Sequence, residues 1–173
     1  MIPQQWQRGG TVKTDDPQLE KSQKEMFERI EKMDKLTLAT LRSHLLAEQC
    51  MNDYIIASGV KRKWLGKKTF WDKMQKCKLL AKEEGKDALW GVLEAANQLR
   101  NTIAHTLSMD KIADKMAQLK KKYLACLTEK QAAGLRDQPD DFIAQSACVT
   151  CAGFIATLQS RVGGGTSAEP VKA

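Results

Sequence analysis

Alternation of apolar and polar residues at a period of two, the mark of a half-buried strand, is missing throughout the 173 residues. Its absence excludes a sheet-based fold, and with it a glycine-rich phosphate loop set between a strand and a helix. No internal repeat is visible, which leaves out solenoids and propellers. The amino terminus lacks the order of charged, apolar and small residues that makes an export signal, and the five cysteines are an odd number. Both absences lead to the expectation of a reducing, cytoplasmic setting with unpaired thiols. Metal-ligand spacing is scarce: Cys148 and Cys151 form one pair with no second pair and no nearby histidine, so they are expected as core thiols rather than as a zinc site. No metal and no cofactor is therefore expected.

What the chain does have is helical periodicity. Residues 1–15 contain Pro3, Gly9 and Gly10 and are expected as a flexible arm, after which Asp15-Asp16-Pro17 supplies an acidic cap and a first-turn proline. Leu19, Met26, Phe27, Ile30 and Met33 recur at three and four, predicting a first amphipathic helix. A second is expected from about Thr37 to Ser58, closed by Gly59, with Leu38, Leu41, Leu45, Met51 or Asn52, Ile55 and Ile56 as its apolar face. A third spans about Thr69 to Glu84, with Phe70, Trp71, Met74, Cys77 and Leu80 inward and a stop at Gly85. Asp87 caps a central helix that buries Leu89, Val92 or Leu93, Ala96, Leu99 and Ile103. Ser108-Met109-Asp110 starts another, carrying Ile112, Met116, Leu119, Tyr123, Leu124 and Leu127, with Lys120, Lys121 and Lys122 near its outer side.

Gln131 to Pro139 reads as a turn, and Pro139-Asp140-Asp141 opens a last helix to about Val162. Its uncharged run from Phe142 to Gln159 raises the question of a membrane span, but Gln, Ser, Thr, Cys and Ala outnumber large aliphatics there. A buried or subunit-facing helix is expected, and no membrane partner. Residues 163–173, opening on three glycines, are expected as a flexible tail. The fold class is all-α: an up-and-down bundle of four to five helices with an additional C-terminal helix, residues 16–162 forming one domain.

The most polar chemistry lies in the stretch from Glu94 to His105. On a helix Asn97, Asn101 and His105 fall four apart along one stripe, and Arg100 stands beside it with a stem long enough to reach over. An imidazole moves protons near neutral pH, a guanidinium clamps phosphate, and a carboxamide orients either. That set suits phosphodiester chemistry. The plainer alternative is a C-terminal cap and a surface charge, since basic residues are favoured at helix ends. Upstream, His44 and Glu48 lie four apart and can pair with each other, or Glu48 can reach Arg100 across the bundle. Lys61, Arg62, Lys63, Lys67 and Lys68 surround Trp64 in an expected loop. The cations can neutralise phosphates while Trp64 stacks on a base, or the loop is a solvated surface with Trp64 folded back as an anchor. A net charge of +7 fits a polyanionic partner or simply a basic surface.

Arg100-Asn101-Thr102-Ile103-Ala104-His105 resembles the signature of the HEPN (higher eukaryotes and prokaryotes nucleotide-binding) superfamily: an arginine, a polar residue, three more residues and a histidine near the end of a long helix. His44-Leu45-Leu46-Ala47-Glu48, followed by Tyr54 and Ile55, is similar to the family's second helix, which commonly carries a polar or acidic residue facing the motif. The likeness covers about residues 36–127; the segment after residue 128 has no counterpart in it. It implies a helical bundle that dimerises so that two Arg/His motifs face each other, and in many members a metal-independent endoribonuclease of toxin-antitoxin, phage-defence or CRISPR-associated systems. Arg100, Asn101 and His105 would then be catalytic, with Glu48, His44 and Asn97 supporting them and RNA, a second copy and an antitoxin or other protein as partners. A non-catalytic RNA- or nucleotide-binding or adaptor module, and a structural helical subunit, are the alternatives.

Overall fold

The computed structural model describes residues 17–106 and 108–163. The expected arm at 1–15, the acidic cap at Asp15 and Asp16, and the tail beyond Gly163 lie outside them. Six α-helices and two 3-10 segments account for nearly all the described chain, with no strand among the described residues: α1 Pro17–Ala57, α2 Phe70–Leu80, α3 Leu89–His105, α4 Met109–Ala125, α5 Glu129–Leu135 and α6 Asp140–Gly163. The all-α helical bundle expected from the sequence is the fold observed.

The chain divides into two compact units, residues 1–34 and 35–173. In the first, α1 exposes Leu19, Met26, Phe27 and Ile30. The two helices expected before Gly59 are one continuous helix of 41 residues, because Asp34-Lys35-Leu36 contains no helix breaker. Gly59 ends it: its φ of 85° lies where a side chain is strained, and the amides of Ser58, Gly59 and Val60 close back on Tyr54, Ile56 and Ile55 carbonyls.

In the second unit the buried face of α1 is Leu36, Thr40, Ser43, His44, Ala47, Met51, Tyr54 and Ile55. Leu38, Leu41, Leu45 and Ile56, expected inward, are exposed. The helix carries two apolar stripes, and spacing alone does not say which one meets the core. Met51 and Ile55 are buried as expected.

Residues 62–67 are a 3-10 helix, Arg62–Lys67, rather than a loop. Thr69 and Asp72 then form a reciprocal capping box that starts α2. α2 stops at Leu80, short of the expected Glu84, where Lys82 takes a φ of 54° and the 3-10 segment Lys82–Lys86 begins. Met74 and Cys77 are buried as expected, while Trp71 is exposed and Lys73 is buried in its place. Gly85 packs so closely on the Lys78 carbonyl that any Cβ there would collide with it.

Asp87 accepts the Leu89 amide at 2.8 Å and so caps α3 as expected. Trp90, Val92, Leu93, Ala95, Ala96 and Leu99 form its buried face. α3 packs against α2, α4 and α6, and the Trp90 indole donates to the Glu84 carbonyl at 3.0 Å while meeting Phe154 edge-on. α4 buries Ile112, Met116, Leu119 and Tyr123. The expected turn after residue 131 is largely α5, nucleated by a second capping box between Thr128 and Gln131. α6 lays Ile143, Ala147, Cys148, Cys151 and Ile155 into the core, and its Thr150 hydrogen-bonds to the Tyr123 hydroxyl at 3.0 Å. By length and composition α6 alone among the described helices could cross a membrane; here one side of it packs on α3 and α4.

Candidate functional site

α3 carries its polar residues from the core to the surface. Asn97 is half-buried, whereas Asn101 and His105, four and eight residues on, are exposed. The stripe therefore divides instead of converging. Its inner end meets α1: the Asn97 Oδ1 lies 3.1 Å from His44 Nε2. An amide oxygen only accepts, so His44 holds its hydrogen on Nε2. The imidazole stacks on Phe70 of α2, with ring centroids 4.0 Å apart and planes at 25°. Three helices thus share one ring.

Burial pushes the His44 pKa below its ordinary value; the Asn97 hydrogen bond opposes that, Arg100 adds to it, and Glu48 opposes it. Arg100 is consequently close enough to act on His44 electrostatically, though its own hydrogen bond goes outward. Its Nη1 donates to Asn101 Oδ1 at 3.1 Å, which joins the guanidinium and the carboxamide on the solvent side of α3. His105 is the last residue of α3, followed by Thr106 in an extended conformation whose amide still donates to the Thr102 carbonyl. The motif thus stands at a helix end, as the cap signal at Ser108 implies, and its imidazole is exposed.

Glu48 makes neither of the two contacts anticipated for it. It accepts a 2.6 Å hydrogen bond from Lys73 of α2, whose side chain is 9% exposed against 28% for the carboxylate. An ammonium taken that far from water must be paired, and Glu48 supplies the carboxylate. Lys73 and Phe70 were not foreseen as parts of this cluster. A signal existed: Phe70, Lys73, Met74 and Cys77 follow the i, i+3, i+4, i+7 rule, so Lys73 is a cation written into an apolar stripe.

Lys61, Arg62, Lys63, Lys67 and Lys68 are all exposed. Trp64 is half-buried, and Lys68 Nζ stands 5.3 Å from its ring centroid, so the indole already carries a cation of its own chain. Among the described residues no group of three His, Cys, Asp or Glu side chains could hold a metal ion. The five thiols are unpaired. Burial raises Cys77 to about 12 and Cys148 to about 11, with Cys151 higher still, which suits inert core thiols. Compared with known proteins, the chain matches no family model, no curated protein and no solved structure.

Proposed function

We propose that this chain is a metal-independent endoribonuclease of the HEPN kind, of toxin or phage-defence type, acting as a cytoplasmic homodimer. The observation that carries the reading is the outer end of α3, where Arg100 is held to Asn101 at 3.1 Å on the exposed side and His105 closes the same helix in open solvent. In this reaction His105 takes the proton from an RNA 2'-hydroxyl, whose oxygen attacks the adjacent phosphorus. The bond to the 5'-oxygen breaks, that oxygen gains a proton, and a 2',3'-cyclic phosphate remains. Arg100 stabilises the charge that gathers on the phosphorane oxygens, and Asn101 orients the guanidinium or the phosphate. The Asn97 bond to His44 anchors α3 one turn before the reacting groups. A symmetric pair supplies one imidazole as base and the other as acid. Lys61, Arg62, Lys63, Lys67 and Lys68 hold the RNA backbone.

RNA cleavage in EDTA tests the reading. Activity should persist without divalent metal and leave a cyclic phosphate on the 5' fragment. His105→Ala and Arg100→Ala should each lower the rate by roughly a hundredfold or more, with the double variant far from additive. Cleavage that survives both substitutions, or that requires added metal, would overturn it. One observation favours an RNA-binding module instead: among the described residues no side chain hydrogen-bonds to the His105 imidazole to fix its orientation. Parental RNA binding without any cleavage would select that module.

A further inference from the structure

Three tryptophans lie among the described residues, and they are used differently. Trp90 is 1% exposed with its indole donating to the Glu84 carbonyl, and Trp64 is half-buried with Lys68 over its ring. Trp71, whose spacing on α2 predicts a core position, is instead 46% exposed. Among the described residues no side chain hydrogen-bonds to its indole, and no ring or cation stacks on it. A broad aromatic face is thus held open to solvent on an ordered helix.

Its surroundings say what it meets. The chain from Val60 to Trp71 holds Lys61, Arg62, Lys63, Lys67 and Lys68 and no acidic residue, and these cations are exposed. The Asp72 carboxylate that follows is taken up by the Thr69 amide and hydroxyl at 3.0 and 2.9 Å. Placement is the second observation. Phe70 stacks on His44, which is bonded to Asn97 one turn before Arg100. Trp71 follows Phe70 by about 100° around α2, so the open indole lies on the outer side of the same end of the bundle. Cations beside an open aromatic ring match a nucleic-acid strand, whose phosphates meet the charges while a base lies flat on the ring. A base inside a duplex has both faces covered, so the base that Trp71 takes is unpaired. An apolar protein surface fits poorly, because it would strip water from the cations and return no charge.

We propose that Trp71 is a base-stacking residue, taking one unpaired base of a strand whose phosphates lie along residues 61–68. Trp64, whose ring already carries Lys68, positions that cation and does not stack on RNA. The proposal rests on the reading above for RNA as the ligand and not for cleavage.

Anisotropy titrations of the full chain decide it, with a 2'-O-methyl oligoribonucleotide of about 12 nucleotides, single or annealed to its complement. This strand offers no 2'-hydroxyl for attack, so binding is read without cleavage. Trp71→Ala should weaken single-strand binding by roughly five- to a hundredfold, leave duplex binding unchanged and leave the salt slope parental, because stacking releases no counterion. Trp71→Phe should recover most of the loss, whereas Trp71→Leu, apolar without a π-face, should resemble Trp71→Ala. If Trp71→Ala loses helix content by circular dichroism, the phenylalanine and leucine variants decide alone. Parental single-strand affinity in Trp71→Ala, an equal loss for strand and duplex, or a leucine variant as good as phenylalanine overturns the proposal. A parent that binds neither form also overturns it and leaves the indole to an acidic protein segment. Stacking without cleavage of unmodified RNA upholds Trp71 and removes only the nuclease; cleavage with Trp71→Ala binding as the parent does removes only the stacking.

Discussion

Folding makes His44 a weaker base. Burial depresses its folded pKa below the ordinary 6.5, so the unfolded chain binds the proton more readily than the folded one. Well above pH 6.5 both states hold a neutral ring and nothing is lost. As the pH falls below that value, protonation favours the unfolded chain, and stability declines until the folded pKa is passed. One proton sets a ceiling of about 1.4 kcal/mol per pH unit on the slope. Denaturant midpoints between pH 7 and pH 5 should drop for the parent and drop less for His44→Gln, which keeps a donor for Asn97. Equal slopes in the two proteins would show that His44 does not titrate with folding. Glu48 and Lys73 show what a single residue conceals in sequence: Lys73 stands within an apolar stripe, yet only the packing of α2 on α1 reveals that its partner is Glu48.

Among the elements, helix stops proved more legible than helix faces. Gly59 and Asp87 mark real boundaries because a φ of 85° and a capped amide are local requirements, satisfied by local residues. The exposed leucines of α1 went the other way, since both of its stripes obey helical spacing and tertiary packing chose between them. The early end of α2 was hidden for a related reason. Gly85 looked like the stop, whereas the chain turns at Lys82 and uses Gly85 to approach the Lys78 carbonyl. Gly85→Ala should therefore destabilise through a steric clash, by about 1–3 kcal/mol. Gly59→Ala, with open space around its Cβ, should cost about 1–2 kcal/mol through its left-handed backbone alone. Thermal melting checks both, at about 2–4 °C per kcal/mol. A Gly85→Ala protein melting with the parent would mean that the segment gives way freely.

For the molecule as a whole, a net charge of +7 attracts any polyanion, so affinity alone cannot identify the surface used. Salt dependence can. Each cation of the 61–68 segment that contacts phosphate should lower the slope of log affinity against log salt by about one unit when replaced by alanine. An unchanged slope in the fivefold variant would leave that segment a solvated surface. The helical class was legible because it follows from composition and period. The split of the polar stripe between Asn97 and Asn101 was not, since a stripe drawn on an isolated helix has no inside.

That split divides the two histidines of the chain by depth. His44 is sealed between Asn97 and Phe70, and His105 stands at an open helix end. Among the described residues each imidazole therefore labels one region only. In a proton spectrum, a ring signal that changes with folding and ignores ligand belongs to the interior, and one that follows ligand belongs to the motif. Two resonances thus monitor fold and site separately, with no label added and no residue replaced.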